Sequence, residues 1–421
     1  MELSLNKKAL ILSLVTILLL FSFSLVALSA DIHIEIDGNT LQSDVVPIIK
    51  DARILVPFRI IAEAIDIDVS WDEQTKSINA QKGADKLILN IGSKTAYFNK
   101  VPVLLDVAPE IINNRVLIPL RFFSNVFDCE VGWLEASKTA IIKTPSPAMR
   151  AVGYYALGDS QSSSWTDLFT TPYPETNMGN TELITDLALG WYSLDENGNL
   201  LTKSRTGWQR PEGWETVLRA AKKYNLDTEM VIHMTNEGHI ITSLLTNPHS
   251  VDQAIKQIVL ESANYAGVNL DLEGLGLSEK GNDLKKVQDN FSTFVELLAD
   301  ELHKKGKVLS LSLHPPNSSY RGYDYTALGK QSDYIIIMAY DYGPKPEPND
   351  RVEAAITQAL ETVPANKIML GISSPSETAV SIVSKIELAK KYRLKGIAIW
   401  RLGLISEDKW QALAGNMVIN K

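Results

Sequence analysis

Asn269, Asp271 and Glu273 are the residues through which this chain could do chemistry. They fall within Tyr265-Ala-Gly-Val-Asn-Leu-Asp-Leu-Glu-Gly274, an apolar run with a polar residue at every second place. Successive side chains of a β-strand point to opposite faces. The amide and the two carboxylates therefore share one face, and Val268, Leu270 and Leu272 share the other. Against a packed core that polar face would carry a heavy desolvation cost. At the mouth of a barrel it can meet water and a ligand.

The elements that must position them follow from the pattern of residues 150 onward. Short apolar runs at 151–157, 184–191, 229–234, 267–273, 308–313, 334–340, 368–372 and 396–400 read as strands. Helical patterns at 211–224, 250–265, 283–305, 351–362 and 376–392 lie between them. This alternation predicts an α/β fold, a (β/α)8 TIM barrel over residues 151–415. An open doubly wound sheet fits less well, because no glycine-rich phosphate loop follows the first strand. Barrel sites form at the C-terminal strand ends. Those ends carry Tyr154 or Tyr155, Trp191 and Tyr192, Thr235 and Asn236, Asp271 and Glu273, His314, Tyr340 and Asp341, Ser373, and Trp400 with Arg401.

Carboxylates ringed by aromatics suit a sugar, whose apolar ring face stacks on an aromatic while its substituents take hydrogen bonds. Basic residues are scarce at these ends, which argues against a phosphate ligand. No metal is expected either. His233, His239, His249, His303 and His314 lack the clustered three-ligand spacing of a hydrolytic zinc site. Trp208 and Trp214 read equally as groove aromatics or as one face of a helix.

The chain has 421 residues, a net charge of -9 and 45% hydrophobic residues. Length and composition suit two or three cored domains, and the negative charge argues against nucleic acid as a partner. Lys7 and Lys8 precede an apolar run over residues 9–28, followed by Ser29 and Ala30. Residues 1–30 thus read as a signal peptide or an uncleaved membrane anchor, placing the protein outside the cell or at its envelope. The single cysteine, Cys129, allows no internal disulfide and lies in an apolar stretch that reads as core.

Residues 32–143 contain a repeat. Asp44, Pro47, Arg53, Pro57, Arg59, Trp71 and Lys76 return as Asp106, Pro109, Arg115, Pro119, Arg121, Trp133 and Lys138, each displaced by 62 positions. Each copy predicts a strand, a short helix and a strand pair around a polar turn, a small duplicated α+β domain. It functions either as a stalk or as a cell-envelope attachment module. Residues 144–150, with two prolines, form a linker.

These copies resemble the copper amine oxidase N-terminal-like domain. His33 is their only histidine, and no copper site is expected. In the second half, Gly267-Val-Asn-Leu-Asp-Leu-Glu273 resembles the DGxDxDxE signature of glycoside hydrolase family 18, Met338-Ala-Tyr-Asp341 its strand-six motif, and Gly396-Ile-Ala-Ile-Trp400 its last strand. The likeness is nearest to the spore-germination and peptidoglycan-hydrolase branch. It implies cleavage of β-1,4 linkages in N-acetylglucosamine-containing glycans, peptidoglycan or chitin-like, without a cofactor. The family is an exception to the two-carboxylate rule, because the substrate's acetamido group is the nucleophile. The resemblance makes Glu273 the acid, with a raised pKa, Asp271 the group that orients the acetamido, and Tyr340 its hydrogen-bond partner. Asp341, Trp400, Asn269, Trp191 and Tyr155 would bind substrate. The chain departs from the signature at Ala266 and Asn269, both Asp in the family, and lacks the Ser-x-Gly-Gly of strand three. The Asn269 amide is expected to donate to Asp271. The alternative reading is a weakly active or inactive, lectin-like sugar-binding barrel.

Overall fold

The computed structural model describes residues 32–65, 67–82, 85–127, 129–145, 148–156, 163–203 and 207–419. The expected signal peptide or anchor, residues 1–30, lies outside them. Among the described residues no helix is long and apolar enough to cross a membrane. The chain divides into two compact units after Pro145.

In the first unit the two repeat copies pair with each other. Strands Arg53–Pro57 and Arg115–Pro119 run antiparallel at the centre of a four-stranded sheet. Val56 faces Ile118, Leu55 faces Pro119 and Pro57 faces Leu117, so a local twofold axis passes through the pairing. Each strand leads into a short helix, Phe58–Ala64 or Arg121–Phe127, and then into a hairpin, Asp68–Asp72 with Ser77–Lys82 or Glu130–Leu134 with Thr139–Lys143. The repeated charges bond across copies: Arg53 Nε meets Asp106 Oδ2 at 2.6 Å, and Arg115 Nη2 meets Asp44 Oδ2 at 2.5 Å. Trp71 donates to Glu73 and Trp133 to Glu135, both at 2.6 Å, and Lys76 and Lys138 close each trio. Cys129 is buried in this unit's core with Phe58, Ile61, Leu89 and Ile118.

The second unit is a closed barrel of eight parallel strands: β1 (Ala148–Tyr155), β2 (Asp186–Leu194), β3 (Asp227–Thr235), β4 (Gly267–Glu273), β5 (Val308–Leu313), β6 (Tyr334–Ile337), β7 (Ile368–Ser373) and β8 (Gly396–Trp400). β1 pairs with both β2 and β8 and closes the cylinder. Alternation divides each strand between two environments. Outward Leu270 and Leu272 of β4 pack with Phe291, Phe294 and Leu298 of the helix Gly281–His303. Inward Val152, Tyr154, Ala188, Val231, Tyr334, Ile336, Met369 and Ala398 fill the barrel itself. The helices Trp214–Lys223, Pro248–Glu261, Gly281–His303, Asn349–Leu360 and Ala379–Lys391 occupy the predicted intervals. Three shorter ones, Ser164–Phe169, Ile240–Thr246 and Tyr325–Gln331, were not predicted, being too brief for a clear 3.6-residue period, and neither was Glu407–Asn416. Between β7 and β8 there is a single 3-10 turn and the helix Ala379–Lys391, with no inserted sheet domain.

Candidate active site

A cavity of 680 Å³ opens at the C-terminal strand ends, lined by Tyr154, Asp271, Glu273, His314, Tyr340, Asp341 and Trp400 among others. β4 brings two of these through its alternation, and β1, β5 and β8 supply Tyr154, His314 and Trp400. β6 ends at Ile337, so Tyr340 and Asp341 reach the cavity from the loop that follows. The exposed Asp341 adopts a left-handed φ of 63°, where its N–H donates to Glu347 Oε1 at 3.1 Å.

Three residues expected to bind substrate do not line this cavity. Tyr155 and Trp191 are 0% exposed and pack edge to face, 6.2 Å apart, in the layer between barrel and helices. The reason is strand parity. Tyr154 faces inward, so its neighbour faces out, and on β2 the inward position is Gly190 rather than Trp191. A Cβ at Gly190 would lie 1.5 Å from the Trp208 ring, so only glycine admits that indole. Trp208 stacks on Trp400 at 5.0 Å and on His233 at 5.2 Å, which resolves its two readings in favour of the strand-end cluster.

Asn269 is the third. It points into the barrel but is 0% exposed beneath the cavity. Its amide does not reach Asp271 as expected: Nδ2 donates to Ser310 Oγ at 2.7 Å and Oδ1 accepts from Ser312 at 3.0 Å. Both ends of the amide are thereby satisfied on β5, whose inward serines sit in register beside it.

The electrostatics reverse one expectation. Burial, reinforced by the neighbouring Glu273 charge and opposed by His233, raises the Asp271 carboxyl to about 8. Asp271 is 3% exposed, and its Oδ1 has no hydrogen-bond partner among the described residues. Burial alone would raise Glu273 too, but the hydrogen bond and charge of His233, helped by His314, hold it below the usual carboxylate range. His233 Nε2 lies 3.3 Å from Glu273 Oε1, and His314 Nε2 lies 3.6 Å from Oε2. Burial would lower His233, yet Glu273 and Asp271 raise it, whereas His314 ends lowered because its burial outweighs Glu273 and Asp341. These opposite shifts favour the proton on Asp271 and the ionised form of Glu273, which lies between two imidazoles.

Sequence reasoning placed His314 at a strand end but passed over His233 and gave neither a part in the acid pair, because they are far apart in the chain. The signal was positional: His233 faces Asp271 in the β3–β4 register, and His314 follows β5 directly. His233, Asp271 and Glu273 are also a group that could hold a metal ion, with donor atoms all within 4.8 Å. The ion pair already satisfies His233 and Glu273 without one. Above the acids, Tyr154 lies 5.5 Å from Trp400, ring to ring, and His314 stacks on Tyr320 at 3.9 Å. A pair of acids sharing one proton, beneath an aromatic wall, can protonate a leaving oxygen and stabilise a neighbouring positive charge.

Comparison with known proteins agrees with this geometry. Residues 150–376 match the family described as Glycosyl hydrolases family 18, and residues 35–142 match the Copper amine oxidase N-terminal domain. The Bacillus subtilis protein YdhD, named as a candidate sporulation-specific glycosylase, is 25% identical over 43% of this chain and 43% of its own length. The cortical fragment-lytic enzyme of the same organism is 22% identical over 49% of this chain and 64% of its own. The chain therefore spans less than two thirds of either relative. The crystal structure of the Bacillus megaterium spore cortex-lytic enzyme SleL superposes with a TM-score of 0.53 at 18% identity, covering 71% of this chain and 82% of that one, a likeness of fold.

Proposed function

Since the chain belongs to the glycosyl hydrolases family 18, we propose that it is an exported glycoside hydrolase cutting β-1,4 bonds beside N-acetylglucosamine in peptidoglycan or a chitin-like glycan. The observation that carries this reading is the placement of Asp271 and Glu273 on one strand face, in one cavity with Tyr340 and Trp400, with their proton affinities displaced in opposite directions. The names of its relatives, which include cortex-lytic enzymes, support peptidoglycan as the substrate class.

The ring bearing the scissile bond stacks on Trp400, and its acetamido group turns toward Asp271 and the Tyr340 hydroxyl. Burial pushes that hydroxyl's pKa well above its ordinary value, so it stays a donor. An acetamido N–H facing Asp271 favours the ionised form, and the displaced proton passes to Glu273. Glu273 protonates the leaving oxygen while the acetamido oxygen attacks the anomeric carbon, and the Asp271 carboxylate faces the resulting oxazolinium. Glu273, again ionised, then draws a proton from water, which opens that intermediate with net retention. The first unit serves as the envelope attachment module. Digestion of purified peptidoglycan and of N-acetylglucosamine oligomers, with products identified by mass, tests the assignment. Fragments ending at N-acetylglucosamine are expected. Oligomer binding without cleavage would turn the reading to a sugar-binding barrel.

A further inference from the structure

The first unit carries two clefts that match each other. One, of 540 Å³, is lined by Arg59, Trp71, Ile111 and Arg115 among others, and the other, of 390 Å³, by Arg121, Trp133, Ile49 and Arg53 among others. Nine lining positions of one correspond to nine of the other at the 62-residue displacement. Each cleft therefore draws on both copies, and the twofold axis through the Val56–Ile118 pairing relates the two. Six of the nine pairs carry the same residue, whereas residues 44–76 and 106–138 as a whole agree at only thirteen of thirty-three positions. Ion pairs account for Arg53 and Arg115, and the hairpin trios for Trp71 and Trp133. Folding does not account for Ile49 and Ile111, 61% and 51% exposed, or for the exposed Arg59 and Arg121.

Each cleft is left with one cation in surplus. In the larger, Lys76 pairs with Glu73 and Arg115 with Asp44, while Arg59 forms no ion pair among the described residues. In the smaller, Arg53 pairs with Asp106, on which Arg121 also acts, two guanidinium groups to one carboxylate. A guanidinium matches a carboxylate through two parallel N–H bonds. An indole offers its face to a sugar ring, and here its N–H is already given to Glu73 or Glu135. The exposed isoleucine adds apolar contact. Carboxylate, ring and apolar edge recur together along a glycan strand whose sugars bear carboxyl groups. Such a polymer can occupy two equal sites at once, which strengthens retention without any new contact.

We propose that these clefts are two equivalent binding sites for peptidoglycan, each holding a carboxylate of the wall polymer on Arg59 or Arg121 beside an indole. This rests on the reading of the first unit as an envelope attachment module.

The test is retention of the full chain on purified sacculi stripped of phosphate polymers. Glu273→Gln prevents digestion, and an excess of soluble N-acetylglucosamine oligomer occupies the barrel. Added to that parent, Arg59→Ala or Arg121→Ala alone should weaken retention about tenfold and the two together about a hundredfold, the scale of one and two hydrogen bonds to a charged group. Both residues are exposed, so the Tm should stay in place. Converting the sacculus carboxylates to amides should reduce retention of the parent to that of the double variant. Undiminished retention of the double variant, or of the parent on amidated sacculi, overturns the proposal. So does retention that appears only while the phosphate polymers remain. With Glu273 intact, the rate on a soluble oligomer should be the same with and without the two arginines. A wild-type chain that cleaves no N-acetylglucosamine glycan overturns the hydrolase reading instead, while retention on sacculi still decides the clefts.

Discussion

The two units use polar residues in opposite ways. In the first, recurring charges neutralise one another: Asp44 with Arg115, Asp106 with Arg53, and two Trp–Glu–Lys trios on the surface. In the barrel, Asp271 is buried with an oxygen that has no described partner, and its proton affinity is displaced by burial. Regular recurrence in the sequence therefore marked bonds that join the two copies or close the hairpin turn within each. The chemistry sits where polar groups are buried and only partly satisfied, which a folded chain tolerates where a ligand completes the set.

This contrast can be broken by substitution. Glu273→Gln keeps shape and hydrogen bonding but delivers no proton, so turnover of an N-acetylglucosamine oligomer should fall on the order of 100-fold or more while calorimetric binding survives. Full activity would place the acid elsewhere. Asp271→Asn should cost a similar factor and yet stabilise the fold. The folded chain holds a proton here that the unfolded chain releases near the ordinary Asp value, so this group's contribution falls as pH rises toward about 8. Removing it should raise the Tm at pH 8 by about 2–4 °C, the scale of ~1 kcal/mol in a unit this size, with a smaller gain at pH 4. A lower Tm at pH 8 would contradict the buried, under-satisfied acid.

His233→Ala should lower kcat on the order of 10-fold, because Glu273 loses the contact that fixes it. It should also move the activity profile to higher pH, since Glu273 then binds its proton more tightly. A profile that stays in place would remove His233 from the account. Chelator treatment should leave the rate unchanged, because His233 and Glu273 satisfy each other without a cation. Smallest of all, Arg53→Ala should leave the rate on a soluble oligomer unchanged and cost about 0.2–1 kcal/mol in denaturant unfolding, as an exposed ion pair does.

How much the sequence disclosed follows from the range of each signal. Strands β4, β5 and β8 fall at the predicted residues, because alternation and apolar runs are local. The face of Asp271 and Glu273 was readable for the same reason. Tyr155 and Trp191 were misplaced by one residue of parity, and neighbouring Tyr154 and Gly190 hold the inward positions. The His233–Glu273 pair, the Trp208 stack and the serines holding Asn269 join residues from different strands, and no spacing along one chain encodes them. Likewise the displacement of Glu273 to low and Asp271 to high proton affinity depends on those neighbours rather than on the motif.

The central claim is that Glu273 works with Asp271 and the substrate's own acetamido group. Proton NMR of an N-acetylglucosamine oligomer, recorded within minutes of adding enzyme, reports the anomer first released. The account predicts new reducing ends that appear as the β-anomer and only later mutarotate. Initial release of the α-anomer, or a bound oligomer that is never cut, would contradict it.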